Sequence, residues 1–293
     1  MVVYSHGLGG HADIYSYQTH SLAAQGNIVL TLTHADGSSP VVTRPDGSKR
    51  EYDYTPQQLE RQQGYNQEVV QMRRNQTEIR IQEVLAATRA LHRWNTQSDD
   101  DDAPTELPPS LSLRGRLDLE RITWMGHSFG GATVLTAAHR HPDLVHTVVA
   151  HEPALDWTHP EAMRSFFAES RIANLTQSSR YRRHMFGEPN PDDDSIHHSA
   201  HVLLLFSHEW TRNEWAMITL IREMQQQGRL GSNTTHIAFD YITDMHHNEF
   251  SDTSMLTPTW LARAVGITGP RNPIDTARDV AQKTQSFLKR VRR

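Results

Sequence analysis

The amino-acid sequence predicts an α/β fold, a mostly parallel central sheet with helices on both faces. Three observations carry this reading. Short apolar runs of strand length alternate with helix-forming stretches along the chain. A Gly-x-Ser-x-Gly-Gly sequence, Gly126 to Gly131, stands between a run of strand character and one of helix character. A glycine-rich loop, Ser5 to Gly10, follows the first strand, at the kind of strand end where open α/β sheets bind ligands.

The elements follow in order. Val2 to Tyr4 and Asn27 to Thr33 have the composition of buried strands, and the polar segment Gly10 to Gln25 suits a helix between them. Asp36 to Asp53 holds Gly, Ser, Pro and Asp in loop proportions with no regular period, which predicts a surface loop. From Gln57 to Trp94 the residues favour helix, and Ile79, Val84, Leu85, Thr88, Leu91 and Trp94 form an apolar stripe; one long helix or a helix pair is expected. The acidic and proline-rich stretch 98–110 reads as a solvated surface insertion, since its four adjacent aspartates, Asp99 to Asp102, cannot all face one ion. Arg121 to Met125 is then a strand, Ala132 to Arg140 a helix, and Thr147 to Ala150, Val202 to Phe206 and Ile237 to Tyr241 are further strands. A helical stretch, Glu214 to Gln226, separates the last two. The closing helix sets Val280, Phe287, Leu288 and Val291 beside Lys289, Arg290, Arg292 and Arg293, a pattern that favours core packing with a basic rim over lipid binding. No internal repeat is present, and 1–293 reads as a single domain.

Composition narrows the function. Twenty-nine basic residues against 34 acidic ones give a net charge of −5, so no global basic field draws the chain to nucleic acid. With 0 cysteines, disulfides, thiolate catalysis and thiolate metal sites are excluded together. The start MVVYSHGLGG has no signal-peptide pattern, and no apolar run approaches the roughly 20 residues of a membrane helix; a cytoplasmic protein is expected.

The chemistry converges on a few residues. In Gly126-His127-Ser128-Phe129-Gly130-Gly131 the glycines allow a sharp strand-to-helix turn, which leaves the Ser128 hydroxyl prominent and the Phe129 N–H free to donate to an oxyanion. The pattern alone is weak; its position between strand and helix gives it meaning. A second oxyanion donor is expected in the loop after an earlier strand, and Leu8 N–H is the natural one. The base should be a histidine beyond a late strand. His246 and His247 both qualify, and either could serve. The acid that orients the imidazole should lie between serine and histidine: Glu152, directly after a strand, is the first choice and Asp156 the reserve. Neither the pair His246 and His247 nor the group His197, His198 and His201 has the spacing of a metal site, and no cofactor is required.

With these residues placed, the sequence resembles the plasma-type, or intracellular type II, platelet-activating factor acetylhydrolases, Ca²⁺-independent lipases with the α/β-hydrolase fold. The resemblance runs from Ser5 nearly to the C-terminus. Ser5 to Gly9 is similar to the family's oxyanion loop, and Asp118 to Thr133 to its nucleophile segment. Ser207-His208-Glu209-Trp210, His247-Asn248-Glu249-Phe250-Ser251-Asp252 and the segment from Ile274-Asp275 to Phe287-Leu288 match in order and spacing. The gapless His-x-x-Phe-Ser/Ala-Asp register implies His247 as base. The family has Asp just after the strand that follows the nucleophile helix; here Glu152 stands there with about one residue inserted, and Asp156 lies beside Trp157. Family members carry strands ahead of the oxyanion loop, so the N-terminal edge strands are expected to be missing. The resemblance implies a serine esterase acting on the short sn-2 acyl ester of platelet-activating factor-like or oxidised phospholipids, with peripheral contact to a membrane or lipid-particle surface. A general carboxylesterase or polyester hydrolase for small soluble esters, and a catalytically inactive hydrolase-fold protein, are the alternatives.

Overall fold

The computed structural model describes residues 1–44, 46–64, 66–96, 111–162, 200–212, 222, 225–226 and 236–292. Its centre is a six-stranded sheet of β1 (Val2–Ser5), β2 (Val29–Leu32), β5 (Thr123–His127), β6 (Thr147–His151), β7 (His201–Ser207) and β8 (Ile237–Ile242). The order is β2-β1-β5-β6-β7-β8 and every pairing is parallel. Strand order reverses between β1 and β5, and the crevice outside their C-terminal ends is where an open parallel sheet accepts ligands.

Alternation along each strand sends side chains to two cores. On one face Trp124, Val148, Val202 and Leu204 pack against Val84, Leu85 and Leu91 of α3 (Gln67–Thr96) and Val134 and Leu135 of α4 (Phe129–Arg140). On the other, Tyr4, Met125, Val149 and Leu205 meet Leu22 of α1 (Ser16–Ala23) and Val280, Phe287 and Leu288 of the closing helix, α8 (Pro273–Val291). Burial on both faces of the inner strands β1, β5, β6 and β7 explains why they read as continuous apolar runs rather than alternating ones. The apolar residues expected to pack the closing helix into the core do so.

Two expectations are corrected. The segment 36–53 is not loop throughout: Val41–Thr43 (β3) and Lys49–Glu51 (β4) pair as an antiparallel hairpin, closed by Arg44 N–H to the Ser48 carbonyl at 2.8 Å with Gly47 at φ 82°. Its residues are largely exposed, so no core pattern marks it. In the helix pair α2 (Thr55–Gln63) and α3, Ile79 is 46% exposed, while Ile81 takes the buried position in register with Val84, Leu85, Thr88 and Leu91. Most of the expected helix Glu214 to Gln226, the insertion 98–110, and His197 and His198 lie outside the described residues. Among the described residues no helix is long and apolar enough to cross a membrane.

Candidate active site

Ser128 directly follows β5 and caps α4 with φ 54° and ψ −114°, a backbone state that a residue bearing a Cβ tolerates only where its surroundings enforce it. The enforcement is packing. A Cβ on Gly126 would lie 2.3 Å from the Gly130 carbonyl oxygen, and one on Gly130 would lie 2.0 Å from that of Ser5. Strand, helix and the neighbouring β1 therefore touch backbone to backbone, and only glycine fits on either side of the serine. The helix begins at Phe129 rather than at Ala132 because the turn leads straight into it.

His247 opens a single 3₁₀ turn, His247–Phe250, beyond β8. Its Nε2 lies 3.1 Å from Ser128 Oγ, and its Nδ1 lies 2.6 Å from Oε2 of Glu152. A carboxylate only accepts, so Nδ1 carries the ring proton and Nε2 is left to accept from the serine hydroxyl. Glu152 directly follows β6 at φ 42° and is fully buried. Its second oxygen, Oε1, accepts from the Ser207 N–H at 2.9 Å and the Ser207 hydroxyl at 2.5 Å. The buried carboxylate thus has donors on both oxygens, as a desolvated charge requires.

The reserve residues stand elsewhere. Asp156, in the 3₁₀ turn Leu155–Trp157, lines the cavity over the serine, whereas the carboxylate bonded to His247 is that of Glu152. His246 points its Nδ1 toward the Gly266 carbonyl at 3.3 Å, and its backbone N–H binds Glu249. His201 sits at the opposite end of the sheet, in ring contact with His146 and His236.

Phe129 directly follows Ser128, and Leu8 lines the same cavity as the serine. Phe129 is the first residue of α4, where N–H groups lack intrahelical acceptors. The loop bearing Leu8 is tied down around it: Gly9 N–H reaches the Ser38 carbonyl at 2.8 Å and Gly10 N–H the Gly7 carbonyl at 3.1 Å. Gly7 N–H donates to the Tyr15 hydroxyl at 2.9 Å, which donates in turn to His127 Nδ1 at 2.9 Å. Burial, with His247 and His151 adding to it, holds the His127 pKa well below its ordinary value, so the ring is neutral and able to accept.

Several residues that sequence reasoning gave no role brace this arrangement. Ser207 ends β7, and Glu209 and Trp210 stand in the short helix that follows it, α5 (His208–Arg212). Glu209 accepts the His247 N–H at 3.0 Å, and the Trp210 ring stacks on the imidazole at 4.9 Å and 8°. Glu249 is fully buried and gathers the His246 N–H, the Thr268 hydroxyl and the Gly269 N–H. Ser207 to Trp210 matched a family segment, but only the position of β7 between β6 and β8 shows what the segment touches. A cavity of about 690 Å³ opens over the serine, walled by Leu8, Ile14, Trp157 and Trp210, with Glu60 and Asp156 as its acidic members.

A parallel sheet with a strained serine at a strand-to-helix turn, a late histidine and an acid just after the next strand defines an α/β hydrolase, and the profile described as "alpha/beta hydrolase fold" matches residues 111–219. The profile described as "Platelet-activating factor acetylhydrolase, isoform II" matches residues 1–160, more than half of the chain. The chain belongs to that family. It is 30% identical over 148 residues to a platelet-activating factor acetylhydrolase of Gallus gallus (46% of this chain, 34% of the relative). It is 32% identical over 143 residues to that of Canis lupus familiaris (47% and 31%). The chain therefore spans about a third of the length of these relatives. Among solved structures, a Paleococcus ferrophilus monoacylglycerol lipase aligns with 98% of this chain and 94% of its own at 16% identity and a TM-score of 0.44.

Proposed function

We propose that the chain is a serine ester hydrolase that removes a short acyl group, acetyl above all, from the sn-2 position of platelet-activating factor-like or oxidised phosphatidylcholines, a 1-alkyl-2-acetylglycerophosphocholine esterase-like activity. The observation that supports it most is the hydrogen-bonded row from Glu152 through His247 to Ser128, at 2.6 and 3.1 Å, opening into the cavity. Family membership and the names of the relatives support the substrate class.

In this reading Ser128 Oγ attacks the acyl carbonyl carbon while its proton passes to His247 Nε2. Glu152 steadies the imidazolium, and the N–H groups of Leu8 and Phe129 receive the oxyanion. Collapse breaks the ester bond, and the lysophospholipid oxygen leaves with the proton from His247. Water, deprotonated by the same nitrogen, then hydrolyses the acyl-serine and restores the hydroxyl. Exposed apolar side chains at Leu256, Trp260 and Val265, which follow His247 in the chain, support contact with a lipid surface.

Hydrolysis of a micellar 2-acetyl ether phospholipid, compared with a soluble acetyl ester, tests the reading. Ser128→Ala should lower turnover by about 10⁶ and abolish labelling by a fluorophosphonate. A large preference for the soluble ester would replace the phospholipid with small esters as substrate, and an unlabelled wild-type protein would remove the esterase assignment altogether.

A further inference from the structure

Arg80 is a fully buried charge on α3, on the flank of the helix that packs against the sheet. Such a charge is costly unless paired and hydrogen-bonded. Asp36 supplies the pairing: Arg80 Nε donates to its Oδ2 at 2.8 Å, and the guanidinium together with Ser38 and His34 holds the Asp36 carboxyl at about 2 despite burial. Charge balance would be satisfied there. The guanidinium nevertheless reaches further, with Nη1 donating to the His6 carbonyl at 2.7 Å and Nη2 to the Ser38 hydroxyl. Its carbon also lies 4.0 Å from the centroid of the Phe129 ring, in cation–π contact. One planar group therefore touches the loop that carries Leu8, two residues before it, and the side chain of Phe129 itself.

The surrounding bonds lead to the same place. His34 N–H donates to His6 Nε2 at 3.0 Å, and the His34 ring joins Ser5 Oγ, at 2.7 Å, to Glu83 Oε2, at 2.6 Å. Gly9 N–H is held by the Ser38 carbonyl. Residues 5–9 are thus fastened to residues 34–39, and both are fastened to α3 through Arg80 and Glu83.

We propose that Arg80 is a positioning residue that holds the two amide donors of the oxyanion hole, on Leu8 and Phe129, in one rigid frame. The inference rests on the assignment of those amides made above. Lysine could keep the charge but not the fork that binds Asp36, Ser38 and His6 at once while stacking on a ring. Loss of the frame misaligns donors that matter most when the carbonyl oxygen becomes charged, so the transition state should suffer and the bound substrate should not.

The test uses Arg80→Lys, Arg80→Gln and Phe129→Leu with a soluble acetyl ester, with active sites counted by fluorophosphonate end point. In the Arg80 variants kcat per counted site should fall about 10²-fold, comparable to removal of one oxyanion donor, with KM little changed. The inhibition constant of a trifluoromethyl ketone, which forms an oxyanion on Ser128, should rise by the same factor. Phe129→Leu, which keeps the amide and the Arg80 ion pair, should show the same pattern at about 10-fold, and it decides the matter where the Arg80 variants do not fold. A merely structural arginine would reduce the number of counted sites and leave kcat per site and the ketone affinity unchanged, and that result overturns the proposal. A wild-type chain that the fluorophosphonate does not label overturns the site assignment and this inference with it, whereas a labelled, active wild type with indifferent variants overturns the role of Arg80 alone.

Discussion

At the scale of single residues, Glu152 shows how backbone and side chain are fitted to each other. Its φ of 42° and its N–H bond to the Leu205 carbonyl at 2.7 Å fix where the side chain starts, and both carboxylate oxygens are engaged at its end. Glu152→Asp retracts the carboxylate by one methylene from a frame built for glutamate. Either His247 or Ser207 must then lose its bond, and kcat should fall about 10²-fold with KM nearly unchanged, as expected when a catalytic group is misplaced by about 1 Å. Aspartate restoring full activity would show that the acid position is adaptable. Ser128, Glu152, Leu8 and Phe129 could be proposed from chain order and a glycine signature, and His247 only from the family resemblance, since chain order left His246 equally open. Ser207, Glu209 and Arg80 could not. A serine after a strand or an arginine in a helix has an ordinary solvated reading, and only the sheet order, which brings β7 beside β6 and β8, or the burial of α3 gives each a partner.

At the scale of elements, the inner strands β1, β5, β6 and β7 were legible because burial on both faces makes each a compact apolar run, whereas the β3–β4 hairpin buries little and offered no such run. The position of Ile79 was misjudged for a related reason: helical spacing admits either Ile79 or Ile81 into the stripe, and only the packed partner chooses. The short helices α6 (Thr253–Leu256) and α7 (Thr259–Ala264) present the opposite case, apolar residues that the fold leaves out. Leu256 is 75% exposed, Trp260 74% and Val265 60%. A lipid surface is the apolar phase that the proposed substrate brings with it, and tryptophan favours the boundary of such a phase. Trp260→Glu should therefore lower hydrolysis of micellar phospholipid by roughly tenfold, about the transfer free energy of one such contact, and leave a soluble acetyl ester untouched. Equal losses on both substrates would assign the helices to the fold rather than to the interface.

At the scale of the whole molecule, four histidines among the described residues are buried and kept neutral: His6, His34, His127 and His151. Burial is the first cause in each case, pushing the pKa of His6, His34 and His127 well below the ordinary value and that of His151 to about 3. The Arg80 guanidinium adds to the effect at His6 and His34, while Asp36 opposes it. A histidine depressed in this way binds its proton in the unfolded chain first, so the stability it contributes is present above about pH 6.5 and is lost as the pH falls. Glu83 works in the other direction. Burial raises it to about 7, so the folded state holds an extra proton there between about pH 4.5 and 7, and its contribution is lost as the pH rises through that window. Four groups outweigh one. Between pH 7.5 and 5 the chain should lose stability, by about 2 kcal/mol for each buried histidine less a comparable offset from Glu83, through the difference in protons bound. The urea midpoint measured at pH 7.5, 6 and 5 should fall steadily, and a midpoint that holds or rises toward pH 5 would contradict the account. His151 isolates the effect, because burial alone depresses it and the side-chain hydrogen bond from its Nε2 to Thr284 Oγ1, at 2.9 Å, is one that glutamine can make. In His151→Gln the decline between pH 7.5 and 5 should shrink by about 2 kcal/mol, one histidine's share, while the stability at pH 7.5 changes far less.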